Sequence, residues 1–218
     1  MKESPTFAAM IPMQVYNSLQ VPEERTVLEG IKHLIIGGGA IDDGLANELK
    51  HFPNNVWSTY GMTETLSHIA LRRLNGNNAS DWYTPFDQVH IRLSEEGTLV
   101  IHAPEVCAEE LTTNDIAEIN EKGEFRILGR KDNIINSGGI KIQIEQVEAL
   151  LKPHLSTPFV ITSTSDVKFG EAVVLLYEKG NEEELQALCK AALPPYWMPK
   201  RFVQVKAIPL TETGKPNR

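Results

Sequence analysis

Five consecutive residues, Tyr60-Gly61-Met62-Thr63-Glu64, put a flat ring, a bare backbone, a hydroxyl and a carboxylate side by side. A phosphate-bearing ligand needs neutral donors close by, and magnesium needs a hard oxygen. Thr63 offers the hydroxyl and Glu64 the carboxylate. Gly61 lets a backbone come close, and Tyr60 presents a face to a base. The same five residues also read as a turn at the end of a strand, with Glu64 solvated. Locally the two readings stand level.

Three further stretches carry chemistry-bearing groups. Gly37-Gly38-Gly39-Ala40 follows an apolar run, and glycines there can bring amides close to a ligand. Its spacing is neither GxGxxG nor GxxxxGK[ST], so neither of those phosphate-binding fingerprints is present. In GRKDNIINSGGIKI (129–142), Arg130 can donate to ribose hydroxyls or phosphate, while Asp115 upstream can accept from a ribose diol. The competing reading is a surface ion pair beside a turn, which contributes little to stability. Near the end, TETGKPNR carries Lys215 after a glycine. A lysine there does chemistry only if the tail folds back onto a site, where its charge can neutralise phosphate oxygens.

These groups need elements to hold them. Pro12 suits the first position of a helix over MQVYNSL, and HLIIGGG reads as a buried strand entering a glycine turn. DDGLANELKHF has the one-sided spacing Leu45, Leu49, Phe52 of a helix, and VWSTY is the next strand. Apolar strand, helix, apolar strand predicts a parallel, helix-covered sheet. After residue 82 the pattern changes to period two. VHIRL and TLVIHA flank SEEG, and DIAEI and EFRIL flank NEKG, so two hairpins of an antiparallel subdomain are expected. From residue 130 the mixture returns: a Gly-Gly turn at 138–139, a helix around IEQVEALLK, and strands PFVITS and AVVLLY. Asn181 caps a helix EEELQALCKAAL whose acidic first turn suits the helix dipole, and a strand RFVQV follows. The expected fold class is mixed α/β and α+β. The patterns change near residue 82 and again near GRKD (129–132), a charged stretch between two patterned regions, so a parallel α/β part at 1–82, an antiparallel β part at 83–129 and a small α+β part at 133–218 are expected.

The totals exclude several classes of partner. Twenty-one basic against 29 acidic residues give a net charge of −8, which argues against nucleic acid or an anionic membrane. No run approaches the about 18 apolar residues of a membrane span, and MKESPTF lacks the apolar stretch of a signal peptide. Two cysteines without CxxC spacing and six scattered histidines give no disulfide framework or metal motif. A cytoplasmic protein is the expectation.

The order of the motifs says more than any one of them. YGMTE, the Asp of TTND, GR-x-D, a Gly-Gly turn opening a helix and P-L-T-x-T-G-K near the end resemble the adenylate-forming superfamily of acyl-CoA synthetases, adenylation domains and luciferases. The likeness runs from FAAMIPMQVYNSL to the last residue. GGGAIDDGL and STYGMTETLSHIALRRLNG look most like o-succinylbenzoate–CoA ligases of menaquinone synthesis, with other acyl-CoA ligases and carrier-loading adenylation domains as the alternatives. A degenerate, non-catalytic nucleotide-binding or interaction module is the reading from another class, and the intact Glu64, Arg130, Asp132 and Lys215 speak against it.

The resemblance implies ATP and coenzyme A as cosubstrates with a carboxylic acid, Mg2+ on Glu64, and two half-reactions, adenylation and thioester formation. It implies that Tyr60 stacks near adenine, that Thr63 meets the α-phosphate, and that Asp115 takes the ribose hydroxyls with Arg130 as its partner. Asp132 becomes the hinge, Gly138 and Gly139 the pantetheine path, and Lys215 the bridge between acyl carboxylate and α-phosphate. Gly37, Gly38, Gly39, Ala40, Ser67 and His68 line the acyl pocket. Two departures stand out. The family's T-G-D is Thr113-Asn114-Asp115 here, which adds a side chain to the turn. The Ser/Thr/Gly-rich phosphate loop ending in lysine has no counterpart among these residues, so they are expected to show little or no turnover alone. Apolar edges within residues 7–60 should then invite self-association.

Overall fold

The computed structural model describes residues 5–41 and 43–210. In chain order the elements are β1 (Phe7–Met10), α1 (Pro12–Leu19), α2 (Pro22–Gly30), β2 (His33–Ile36), α3 (Asp43–Leu49), β3 (Asn55–Gly61), β4 (His68–Arg73) and β5 (Thr84–Pro85). Then come β6 (His90–Leu93), β7 (Thr98–His102), β8 (Leu111–Ile119), β9 (Phe125–Arg130), β10 (Ile134–Ser137) and β11 (Ile140–Gln143). The chain ends with α4 (Ile144–Leu151), β12 (Phe159–Asp166), β13 (Gly170–Tyr177), α5 (Glu182–Ala192) and β14 (Arg201–Gln204). This is the mixed class expected, with three sheets among the described residues.

The chain divides into two compact units, residues 1–113 with 117–127, and residues 114–116 with 128–218. In the first, β1, β2 and β3 run parallel, and β4 and β5 extend the sheet antiparallel. Alternation along a strand sends Leu34, Ile36 and Val56 to one face. There they are buried with Val15 and Leu19 of α1, Leu28 of α2, and Leu45 and Leu49 of α3. All three helices thus serve one face of the sheet. Ile35, Trp57 and Thr59, on the other face, are half-buried. The helix α2 had no counterpart in the sequence reading, although Pro22 at its start and Glu23 and Glu24 in its first turn are start signals. A second core joins Ile69 and Ala70 of β4 to Leu99 and Ile101 of β7 and to Phe125, which is fully buried. The β6–β7 hairpin pairs His90 with His102 and Leu93 with Leu99, as the period-two pattern predicts.

The second unit carries a sheet in the order β11-β10-β13-β12, with β14 joining β13 in parallel. Ile135, Ile142, Ile161, Val173 and Leu175 from the strands pack on Val147 and Leu151 of α4 and on Leu185 and Cys189 of α5. Asn181 caps α5 by accepting from the N–H groups of Glu183 and Glu184. Burial pushes the Cys189 thiol up to about 11. No helix among the described residues is long and apolar enough to cross a membrane.

Candidate functional site

In the first unit the strand β3 ends at Gly61, and Thr63–Thr65 form a single 3-10 turn before β4. The glycine is needed because the loop doubles back on itself. A methyl on Gly61 would overlap the Ser67 carbonyl oxygen and lie 2.6 Å from His68 Cα. The close approach at Gly61 is therefore made by the protein's own loop. Thr65, fully buried, fixes that loop: its Oγ1 accepts from Met62 N–H (3.1 Å) and donates to Ser67 O (2.7 Å). This clasp leaves Leu66 at φ +59° and exposes Thr63 and Glu64. The Tyr60 ring stands edge-on to Phe125 (5.1 Å between centroids) and 5.9 Å from Tyr83. Tyr83 stacks on Phe125 and shares a 2.8 Å hydrogen bond with Ser58 Oγ. Tyr60 is thus braced from the side by two rings.

A cleft of about 300 Å³ opens at the carboxyl ends of the parallel strands, the usual place for a ligand in such sheets. Met10, Ile35, Gly37, Gly38, Thr59 and His68 are among its lining residues. Of the expected acyl-pocket residues, Gly37, Gly38 and His68 meet here, while Gly39, Ala40 and Ser67 are not in its lining. Gly39 faces Pro12, and Ser67 Oγ lies 3.2 Å from His68 Nδ1. Thr59 was missed, although it shares a strand face with Trp57 and Gly61. A methyl on Gly37 would overlap Thr59 Oγ1, so the glycine and the threonine are matched.

The remaining described candidates fall in the second unit. Arg130 Nη2 donates to Asp132 Oδ2 at 2.9 Å, and Nη1 to Asp115 Oδ1 at 3.4 Å. Asn114 Nδ2 donates to the same Asp132 Oδ2 at 3.2 Å. Asp115 is largely buried, with 16% of its side chain exposed, whereas Arg130 and Asp132 are half exposed. Arg130 is thus shared between one largely buried and one half-exposed carboxylate. On the other side Gln143 Nε2 donates to the Arg130 carbonyl (2.9 Å), and a methyl on Gly129 would overlap that amide. Gly138 and Gly139 form the two-residue loop of the β10–β11 hairpin with φ of +58° and +83°, values that select glycine. Gly138 N–H donates to Phe169 O, and Lys168 and Lys200 hold their ammonium groups 5.1 and 5.5 Å from the Phe169 ring. Sequence reading missed these two lysines. Lys215 lies outside the described residues.

Among the described residues no cluster of three or more His, Cys, Asp or Glu can hold a metal alone. A single exposed carboxylate, Glu64, fits magnesium instead, because that ion keeps its waters and is shared with substrate phosphates.

Residues 159–215 match the AMP-binding enzyme C-terminal domain. The 2-succinylbenzoate–CoA ligase of Listeria monocytogenes is 23% identical over 86% of the chain and 45% of its own length. The chain resembles the adenylate-forming superfamily, whose C-terminal domain matches residues 159–215. Its matches in that superfamily lie over the C-terminal part, and the chain spans about half the length of the curated ligases it resembles. An acyl-CoA synthetase (AMP-forming)/AMP-acid ligase II-like protein from Dyadobacter fermentans superposes with a TM-score of 0.59 at 30% identity, covering 100% of this chain and 65% of the other. The o-succinylbenzoate CoA synthetase of Bacillus subtilis, solved with its acyl-adenylate intermediate, shares the adenylate-forming fold with a TM-score of 0.75 at 22% identity, over 97% and 49% of the two chains.

Proposed function

We propose that these residues are the C-terminal part of an ATP-dependent acid–CoA ligase acting on 2-succinylbenzoate. The observation that carries the proposal is the match to curated ligases of that name over 86% of the chain. In this reading the chain is organised as 1–82, 83–129, a hinge at 130–132, and 133–218. Tyr60 and Gly61 receive the adenine side of the nucleotide, Thr63 the α-phosphate, and Asp115 with Arg130 the ribose diol. Glu64 holds Mg2+, which supplies charge neutralisation on the phosphates. Lys215 adds positive charge where the acyl carboxylate attacks phosphorus, since bringing two anions together is the electrostatic difficulty of adenylation. Gly37, Gly38, Gly39, Ala40, Thr59, Ser67 and His68 form the acid's surroundings. A turn about Asp132 then exchanges Lys215 for the Gly138-Gly139 loop, along which the thiol of coenzyme A enters. A reaction that consumes ATP and coenzyme A runs in the cytoplasm. In these 218 residues alone, the sheet edge at β1, where Phe7 is exposed, associates with a second copy.

The test is thioester formation by the full-length polypeptide with ATP, Mg2+ and a panel of acids, offering coenzyme A against a holo carrier protein. Coenzyme A and 2-succinylbenzoate should give the highest kcat/KM. Preferential loading of the carrier, or preference for another acid, overturns the assignment. The 218 residues alone should give little or no acyl-CoA, because their sequence has no counterpart of the family's Ser/Thr/Gly-rich phosphate loop.

A further inference from the structure

We propose that Asn114 is a positioning residue that latches the hinge carboxylate Asp132; this rests on the hinge reading given above. The position before the ribose-binding aspartate is glycine in the pattern the chain resembles, and a glycine has nothing to reach with. Here the Asn114 amide donates to Asp132 Oδ2 at 3.2 Å, the same oxygen that accepts from Arg130 Nη2. The two holds differ in kind. Arg130 is shared between Asp132 and Asp115, so a diol or phosphate that draws the guanidinium toward Asp115 weakens its grip on Asp132. Asn114 is neutral and does not face that competition. It therefore keeps Asp132 tied to β8 when Arg130 is engaged elsewhere.

The other side of the segment is already fixed. Gln143 Nε2 donates to the Arg130 carbonyl, and Asn133 Nδ2 donates to Glu145 Oε1 at 2.5 Å. The short 3-10 turn Lys131–Asn133 is thus held at both flanks. Releasing the Asp132 carboxylate from this segment has to break the Asn114 contact, which a chain with glycine at 114 would not have to do. Asn114 therefore adds a hold on the Asp132 carboxylate that a glycine would lack, and its loss should loosen the segment by the roughly two- to tenfold that one net hydrogen bond is worth.

Hydrogen–deuterium exchange of residues 128–136 tests the latch in the chain itself. Asn114→Ala should speed exchange there by roughly two- to tenfold, with the melting temperature and the β12–β13 amides unchanged. Asp132→Ala should speed the same amides, and adding Asn114→Ala to it should change nothing more. Unchanged exchange in Asn114→Ala, or additive effects in the double variant, overturns the latch. In the full-length polypeptide Asn114→Ala should alter the ratio of adenylation to thioester formation. Faster exchange with an unaltered ratio keeps the contact but removes the hinge role from Asp132. Absence of both half-reactions in the wild type instead removes the ligase reading.

Discussion

The two units close their cores differently. In the second, sheet residues Ile161, Val173 and Leu175 are sealed by α4 and α5, and its exposed large apolar side chains are spread from Leu150 to Leu210. In the first, three helices crowd one face of a parallel sheet while Ile35 and Trp57 on the other face stay half-buried. Its exposed apolar side chains concentrate within residues 7–27, among them Phe7, Ile11, Met13 and Tyr16. Parallel strands ordinarily bury both faces. The second unit is thus self-sufficient in apolar cover, and the first presents surface that still gains by burial.

The largest test removes one matched side chain from each core. Leu175 and Leu34 are both fully buried, and Leu→Ala at such sites costs about 2–5 kcal/mol. Two cysteines report the units separately: Cys107 is half-buried in the first, and Cys189 is fully buried in the second with its thiol raised to about 11. Leu34→Ala should speed alkylation of Cys107 far more than that of Cys189, and Leu175→Ala the reverse. Equal acceleration of both thiols by either variant would show that the two cores open as one, and the comparison would fail.

The sequence disclosed these cores unequally, for physical reasons. Elements announced by local chemistry were legible: Pro12 opening α1, Asn181 capping α5, the Gly138-Gly139 hairpin loop, and the alternation of β6 and β7. Arg130 was legible as a partner of Asp115 because the motif order named both. What stayed hidden depends on contacts distant in sequence. Nothing local says that Gly129 must be bare because Gln143 crosses it, or that Asn114 reaches Asp132. The Thr65 clasp was hidden for another reason: a threonine inside YGMTET reads equally well as a solvated hydroxyl, and only the fold buries it.

A smaller effect probes the cleft that the open unit carries. Gly37→Ala drives a methyl into Thr59 Oγ1 and should cost about 1–3 kcal/mol. Thr59→Ala removes that hydroxyl and should recover much of the loss, which a double-mutant cycle on denaturant midpoints measures. Additive losses would mean that the glycine is required for some reason other than Thr59, and the matched pair would no longer define the cleft wall.

The smallest effect concerns the surface itself. Phe7 sits on β1, which among the described residues pairs only with β2, and 58% of it is exposed. An unpaired edge carrying an apolar side chain recruits another strand, whereas a lysine there discourages pairing. Burying the exposed part of one phenylalanine contributes roughly 1–2 kcal/mol to association. Phe7→Lys should therefore weaken self-association about tenfold in sedimentation equilibrium, with the melting temperature of the second unit unchanged. Val203→Lys on β14, also an exposed apolar residue on a strand, is the matched control in the self-sufficient unit and should change association little. An equal response to both substitutions would mean that general surface charge governs association, and that the first unit's open face is not what draws the copies together.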